Sequence, residues 1–184
     1  MNIVTATALL DPTAEAAPAM RCRREPPADL MGKTVALMDI GKMRGDEFID
    51  RLETLFAERG VATRRYKKPT NTRTAPIEML QQIHAECDVL VIALSDCGSC
   101  TSCSTHDLND LDLRGLPGVS VLTTEFQSAF AKQCAAIGFD GASVFVPHPL
   151  QNRTTEEVRR FAESSFDEIL AKITSSGTPL LQVA

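Results

Sequence analysis

The chain has 184 residues, of which 43% are hydrophobic, and it carries a formal net charge of −5. This length and composition are typical of one globular domain with its own core, and the acidic balance argues against a general nucleic-acid-binding protein. The apolar runs are far shorter than the roughly 18–20 residues that span a bilayer, and the amino terminus lacks the basic flank of a secretory signal, so we expect a cytoplasmic protein that contacts neither membrane nor nucleic acid.

Residues 1–30 are rich in Ala, Pro and Thr and show neither helical nor strand periodicity, so we expect a flexible amino-terminal arm. From residue 31 onward, strand and helix signals alternate. The predicted strands are 34–38, 61–66, 88–94, 119–122 and 143–146. The predicted helices around them are 46–59, 76–86, 100–113, 127–137 and 155–173. Residues 175–184 are expected to form a loose tail.

This alternation predicts a single α/β domain over residues 31–174, because parallel strands joined by helical crossovers place helices on both faces of the sheet. We expect a flavodoxin-like, doubly wound fold with a five-stranded parallel sheet. Ligand sites of such folds lie at the carboxyl ends of the strands. Five loops meet there in this prediction, namely 39–46, 67–75, 95–101, 123–126 and 147–154.

Three of the six cysteines follow directly after the apolar strand 88–94, in the run from Asp96 to Cys103. If Ser99 caps a helix that begins at Cys100, Cys97 and Cys100 lie at the positive end of the helix dipole, which lowers a thiol pKa. Asp96 acts in the opposite direction, since a nearby carboxylate disfavours a second negative charge. The Cys-x-x-Cys spacing also permits a disulfide. Nucleophilic or redox chemistry is the leading hypothesis.

A metal site is the alternative interpretation of the same run. Cys97, Cys100, Cys103 and His106 recur every three residues and offer four ligands that zinc or iron accepts. On a continuous helix, each three-residue step turns the side chain by about 300°, so the first and last of these residues lie on nearly opposite faces. A cluster held by Cys97, Cys100 and Cys103 therefore requires that the segment be a loop.

Further candidate residues lie in the other carboxyl-edge loops. Thr123, Thr124 and Glu125 follow the fourth strand, where hydroxyls and helix amides can hold a carbonyl or carboxylate group of a substrate. His148 stands between two prolines after the fifth strand and can donate or accept a proton near neutral pH. Two charged residues, Asp39 and Lys42, follow the first strand. The basic run 64–68 is interpreted either as a solvated strand edge or as a contact for an anionic substrate group.

Two segments of the chain resemble a known family. The run Asp96-Cys97-Gly98-Ser99-Cys100-Thr101-Ser102-Cys103-Ser104-Thr105-His106-Asp107, together with Val146-Pro147-His148-Pro149-Leu150, resembles the UGSC family of (seleno)proteins, named for a selenocysteine-Gly-Ser-Cys motif. The similarity extends over about residues 33–172. More remotely, the chain is similar to the carboxyl-terminal part of selenoprotein B of the glycine, sarcosine and betaine reductases. The loop 39–44 departs from the Asn-x-Lys-Pro form that we associate with the family.

The resemblance implies that Cys97 occupies the selenocysteine position and Cys100 that of its partner cysteine. In the reductases, the selenolate attacks a substrate carbon and displaces an amine, and a second thiol then takes over the intermediate. Cys97 is accordingly expected to be the nucleophile of an oxidoreductase or lyase that cleaves a carbon–heteroatom bond, with Cys100 as the resolving thiol. His148 is the expected third catalytic residue. Residues expected to bind the substrate are Asp39, Lys42, Ser99, Thr101, Thr123, Thr124 and Glu125.

No tightly bound cofactor is expected, and an external thiol or dithiol would supply the electrons. The expected partner is a small polar substrate, with a homodimer or a partner subunit as further expectations. Three other functions stay open. The protein could be a thiol–disulfide or peroxide-type redox protein, or a metal-binding subunit of a larger complex. A racemase with paired thiols ranks lower, since both thiols would lie on one side of the substrate.

Overall fold

A computed structural model of the chain describes residues 18–176. Five parallel strands form the central sheet, namely β2 (Thr34–Asp39), β3 (Ala62–Lys67), β4 (Val89–Ser95), β5 (Gly118–Thr123) and β7 (Ala142–Val146). Across the sheet they lie in the order β3-β2-β4-β5-β7. Counted in chain order, these strands have the order 2-1-3-4-5, which is the flavodoxin-like arrangement. The predicted fold class is therefore confirmed.

Helices cover both faces of the sheet. They are α1 (Gly45–Glu58), α2 (Ile77–Glu86), α3 (Gly98–Leu113), α4 (Gln127–Ile137) and α5 (Thr155–Ile173). Helices α1 and α5 pack on one face, where Phe56 and Phe166 meet edge to face with ring centroids 4.8 Å apart. Helices α2, α3 and α4 cover the other face. Every residue of β4 is buried, which explains its continuous apolar sequence in the centre of a parallel sheet.

The two glycines that the sequence placed after helices have the expected left-handed backbone. Gly60 follows α1 with φ of 68°, and Gly138 caps α4 with φ of 66°. A third glycine, Gly118, is required for space, because an added Cβ would lie 2.7 Å from the Cβ of Leu90. None of the helices within residues 18–176 combines the length and apolar character needed to cross a membrane.

Residues 18–30 contact the domain over much of their length. Arg21–Cys22 form the short strand β1, which pairs in parallel with β6 (Phe139–Asp140). The Arg21 guanidinium lies 2.5 Å from Asp112 on α3. No strand was predicted in this segment, because a strand of two residues is too short to show an alternating apolar pattern. Residues 1–17 and 177–184 of the predicted arm and tail lie outside the described residues.

Helix α5 provides a test of the local sequence signals. Its N-cap Thr154 accepts a hydrogen bond from the Glu157 amide, and the Glu157 carboxylate accepts one from the Thr154 amide, which completes a capping box. The Thr154→Ala variant should lose about 1 kcal/mol of unfolding free energy in a urea titration. The control is Thr54→Ala, which removes an exposed mid-helix hydroxyl and should change stability by less than about 0.5 kcal/mol. Equal losses in the two variants would contradict the capping role.

Candidate functional site: a dithiol at the start of a helix

The sulfur atoms of Cys97 and Cys100 lie 2.7 Å apart at the junction of β4 and α3. Cys97 is partly exposed, whereas Cys100 has no exposed surface. Each thiol accepts a hydrogen bond from the other residue's amide, at 3.0 Å from the Cys97 nitrogen to the Cys100 sulfur and at 3.3 Å in the reverse direction. The pair thus forms a capping box in which both side chains are thiols.

This arrangement corrects the predicted start of α3. We expected Ser99 as the N-cap and Cys100 as the first helical residue, but the helix begins at Gly98 and Cys97 is the N-cap. The prediction failed because Ser is a strong capping residue and Cys is not. The difference places the Cys97 sulfur directly at the amino end of the helix, where exposed amides favour a negative charge.

The surroundings of Cys97 favour its thiolate. Burial acts to raise the pKa of Cys97, but hydrogen bonds with the Cys100 thiol, the Cys100 amide and the Ser99 hydroxyl, together with the positive charge of Lys42, leave this pKa below that of an ordinary thiol. The Ser99 oxygen lies 3.7 Å from the Cys97 sulfur. Cys97 is therefore both reachable and predisposed to ionise.

The neighbouring thiol has the opposite tendency. Burial, the hydrogen bond with Cys97 and repulsion from the Cys97 sulfur raise the pKa of Cys100 to about 12. Since two sulfurs this close repel each other when both are ionised, one proton stays with the pair. The two pKa directions assign that proton to Cys100 and the negative charge to Cys97.

A lysine from a neighbouring loop lies at the same site. The Lys42 ammonium is 2.9 Å from an Asp96 oxygen, and the two side chains are only 13% and 3% exposed. Burial acts to lower the pKa of Lys42, but the hydrogen bond to Asp96 and the negative charges of Asp96, Cys97 and Cys100 raise it above its ordinary value. Lys42 is therefore charged at neutral pH.

A second ion pair lies in the interior beside α3. The Lys68 ammonium is 2.5 Å from Asp107, and both side chains are fully buried. The other Asp107 oxygen accepts a hydrogen bond from the Ala75 amide at 2.8 Å. The Lys68 backbone also packs closely on Gly41 in the loop after β2, since a Cβ added at Gly41 would lie 2.9 Å from the Lys68 carbonyl oxygen. The Lys68–Asp107 ion pair therefore joins the loop after β3, and with it the loop after β2, to the helix that carries both thiols.

The predicted histidine lies beside the predicted threonine. His148 Nδ1 is 3.0 Å from the hydroxyl of Thr123, which ends β5 in the sheet interior. The ring of Phe126 lies at 5.9 Å from the His148 ring in an edge-on arrangement. Three residues beyond His148, the side-chain amide of Gln151 donates a hydrogen bond to the Asp96 carboxylate at 3.5 Å. The loop after β7 therefore reaches the carboxylate that adjoins Cys97.

The other predicted site residues occupy different positions. Asp39 is buried, with one oxygen accepting from the Gly41 amide and the other paired with Lys67. Thr101 is buried and donates its hydroxyl to the Cys97 carbonyl at 2.7 Å. Thr124 and Glu125 are exposed on a short 3-10 turn. These contacts show Asp39 and Thr101 supporting the loops and the helix around the thiols.

The basic run on β3 is paired with acidic residues. Its four cations have carboxylate partners: Arg64 with Glu86, Arg65 with Asp50 and Glu53, Lys67 with Asp39, and Lys68 with Asp107. The strand lies at the edge of the sheet, and only Tyr66 among its residues is buried. The strand-edge interpretation describes Arg64, Arg65 and Lys67, whereas Lys68 follows the strand and is fully buried.

The set of donor atoms available to a metal ion differs from the predicted set. Within residues 18–176, the donor atoms of Asp96, Cys97 and Cys100 lie within 4.8 Å of one another, and Cys103 is not part of this group. The segment is a continuous helix, and the His106 ring contacts Gln133 at 3.2 Å on α4. The Lys42 ammonium already neutralises Asp96. This geometry favours an ion pair with lysine over a metal ion at the same carboxylate.

The fold and the site together define a flavodoxin-like α/β protein with a dithiol at the carboxyl edge of its sheet. The chain belongs to the UGSC family, whose model matches residues 8–175, as the resemblance implied. No curated protein matches this chain.

Two solved structures are similar to this chain at low sequence identity. A diflavin flavoprotein A3 from Nostoc sp. is 13% identical, with a TM-score of 0.44, and the match covers 78% of this chain and 95% of that one. A flavodoxin-like domain of a protein from Synechococcus sp. is 15% identical, with a TM-score of 0.41 and coverages of 71% and 92%.

Three features of the site were missed by sequence reasoning. They are the ion pair between Lys42 and Asp96, the pairing of Lys68 with Asp107 on α3, and the contact of Gln151 with Asp96, and each joins segments that are distant in sequence. The adjacency of these loops followed from the predicted sheet, but the pairing of particular side chains did not. One signal was present. The predicted carboxyl-edge loops contain the charged residues Asp39, Lys42, Lys68 and Asp96, and charged side chains need partners if they are buried.

The buried ion pair is open to a direct test. The Lys68→Met variant leaves Asp107 as an uncompensated buried charge and should lose about 3–5 kcal/mol of unfolding free energy. Urea denaturation followed by circular dichroism measures this loss. The matched control Arg114→Met breaks an exposed pair with Asp110 and should cost about 0.5 kcal/mol or less. A small loss for Lys68→Met would show that the pair does not hold α3 in place.

Proposed function

We propose that the protein is a thiol-dependent enzyme in which Cys97 attacks a small polar substrate and Cys100 resolves the adduct. The observation that carries this proposal is the 2.7 Å separation between a partly exposed sulfur and a buried one. The exposed sulfur has the lowered pKa, and the buried one holds the proton. Family membership supports this assignment, because the resemblance to the family motif implies that Cys97 stands at the selenocysteine position.

The first step is a displacement at carbon. The Cys97 thiolate forms a bond to a substrate carbon, and the bond from that carbon to an amine or another heteroatom group breaks. The leaving group departs with the bonding electrons and takes up a proton. A helix amino terminus stabilises the attacking thiolate before the reaction, so the nucleophile needs no separate base to remove its proton.

The second step uses the neighbouring thiol. Cys100 gives up its proton and attacks the Cys97 sulfur, which forms the disulfide and releases the substrate carbon with its electron pair. That carbon takes up a proton, so the net change is a two-electron reduction of the carbon–heteroatom bond to a carbon–hydrogen bond. An external thiol or dithiol then reduces the disulfide and restores both thiols.

His148 is the proposed proton donor to the departing group. Its Nδ1 atom is held by the Thr123 hydroxyl, which leaves Nε2 as the atom available to the substrate. An imidazole can give a proton from one ring nitrogen to a leaving group and regain it from water. Ser99, Thr124 and Glu125 are proposed to contact the polar groups of the substrate, since their side chains are exposed and follow the carboxyl ends of the neighbouring strands β4 and β5.

Covalent trapping tests this proposal. The protein is incubated with small polar compounds that carry an amine or another heteroatom leaving group, and its intact mass is measured. The Cys100→Ser variant should accumulate an adduct on Cys97, because the resolving thiol is missing. The Cys97→Ser variant should form none, and its turnover should fall by about 10³-fold or more.

Cys103→Ser is the matched control, because Cys103 lies on the same helix outside the thiol pair. It should behave like the unmodified protein. An adduct or substantial turnover that persists in Cys97→Ser would contradict the proposal.

A thiol–disulfide redox protein without a carbon substrate is the second candidate. The same short distance between the sulfurs favours it, because a disulfide requires only a small further approach to about 2.05 Å. A redox titration in glutathione buffers, with alkylation of the remaining thiols, should show a two-electron couple that disappears in Cys100→Ser. The protein should then also reduce generic disulfides or hydroperoxides. The lack of a measurable couple would reject this candidate.

A further inference from the structure

A carboxylate directly before a nucleophilic cysteine should oppose ionisation of that cysteine, because two negative charges repel. Asp96 is in this position, and one of its carboxylate oxygens lies within 4.8 Å of the sulfur atoms of Cys97 and Cys100. The Asp96 side chain is only 3% exposed, so water and salt screen the repulsion poorly. A site built for a thiolate therefore needs a compensating charge.

The compensating charge comes from a different loop. Lys42 follows β2, and its ammonium lies 2.9 Å from an Asp96 oxygen with 13% of the side chain exposed. A lysine has a flexible four-carbon stem and a strongly hydrated head, so without a partner it extends into water. Asp96 is the carboxylate that holds this ammonium in a partly buried position.

The neighbouring residues fix both members of the pair. The second Asp96 oxygen accepts a hydrogen bond from Gln151 at 3.5 Å. The Gly45 amide, at the start of α1, donates a hydrogen bond to the Lys42 carbonyl at 3.0 Å. Gln151 thus restrains the Asp96 carboxylate, and the turn into α1 restrains the Lys42 backbone.

We propose that Asp96 is a positioning residue: it holds the Lys42 ammonium beside Cys97 and Cys100, and it acts on Cys97 through that lysine. This inference rests on the proposed function and deepens it, because it identifies what keeps the nucleophile ionised. Repulsion alone would make the Asp96 carboxylate unfavourable beside an ionised Cys97, whereas the positioning of Lys42 gives that carboxylate a role.

Among the residues that the structure describes, charged and titratable groups lie near Cys97 on the loop after β2 with Lys42, directly after β4 with Asp96, and on α3 with Cys100 and Cys103. The Lys68–Asp107 pair is buried beside the same helix, and the loop after β7 carries His148 and contacts Asp96 through Gln151. Lys42 acts to lower the pKa of Cys97, and Cys97 acts to raise that of Lys42. The lysine and the nucleophile therefore stabilise each other's charged form.

The Asp96→Asn variant distinguishes positioning from repulsion by the sign of its effect. The measurement is the pH dependence of Cys97 alkylation by iodoacetamide, resolved by peptide mass spectrometry. If Asp96 positions Lys42, the alkylation midpoint moves to higher pH by about one unit, and the rate below the midpoint falls by about tenfold. If Asp96 only repels the thiolate, the midpoint moves to lower pH and alkylation becomes faster.

A double-mutant cycle with Lys42→Met identifies the route of the effect. Lys42→Met alone should raise the midpoint. In that background, Asp96→Asn should give no further rise and should lower the midpoint, because only the repulsion is left to remove. Lys67→Met, which removes the equivalent cation paired with Asp39 at the neighbouring strand, should leave the midpoint unchanged.

The conservative variant Asp96→Glu keeps the carboxylate and should retain a midpoint close to that of the unmodified protein, with folding checked by circular dichroism. A lower midpoint in Asp96→Asn, or additive rises from the two substitutions, would overturn the inference. Alkylation requires no turnover, so a protein that forms no substrate adduct would refute the proposed function while leaving this test intact.

Discussion

Two sulfur atoms 2.7 Å apart cannot both carry a negative charge at moderate pH, and this constraint organises the site. One thiol is buried and retains its proton, while the other lies at the surface with helix amides and an ammonium around it. The two thiols differ because Cys100 is more deeply buried and because hydrogen bonds and the Lys42 ammonium stabilise the Cys97 thiolate. In the proposed function, the nucleophile is the thiol that a substrate can reach, and the resolving thiol is the one that the sheet and α3 enclose.

The helix that begins with these thiols is unusual in how it packs. The first turns of α3 bury polar side chains against the sheet, where Ser95 and Ser104 share a hydrogen bond at 3.0 Å and Lys68 pairs with Asp107. Polar contacts of this kind are directional, so they fix the rotation and the position of a helix more strictly than apolar packing does. A site that depends on distances between two sulfurs benefits from such a restriction.

Much of the fold could be predicted from the sequence, because its signals are local. The apolar period of α5 and the glycine after α4 placed those helices correctly, and the alternation of strands and helices predicted the five-stranded parallel, doubly wound sheet. The thiol pair itself was evident from its spacing. Sequence reasoning failed where partners are distant in the chain, as for Asp96 with Lys42, or where a weak capping residue took the cap, as for Cys97.

The thiols and their cation are supplied by different crossovers of the same sheet. Cys97 and Cys100 come from the β4–α3 turn, Lys42 from the β2–α1 loop and His148 from the loop after β7. A parallel sheet brings these loops together because its strands end at one edge. The chemistry therefore depends on the strand order, and no single segment of the chain contains it.

The central claim is that Cys97 is the ionised thiol of the pair. Peptide-resolved alkylation of all six cysteines across pH, in the folded protein and in urea, tests it most directly. We expect folding to shift the midpoint of Cys97 to lower pH and that of Cys100 to higher pH, so that Cys97 reacts well before its partner. Equal midpoints for Cys97 in the folded and unfolded chain, or a more reactive Cys100, would contradict it.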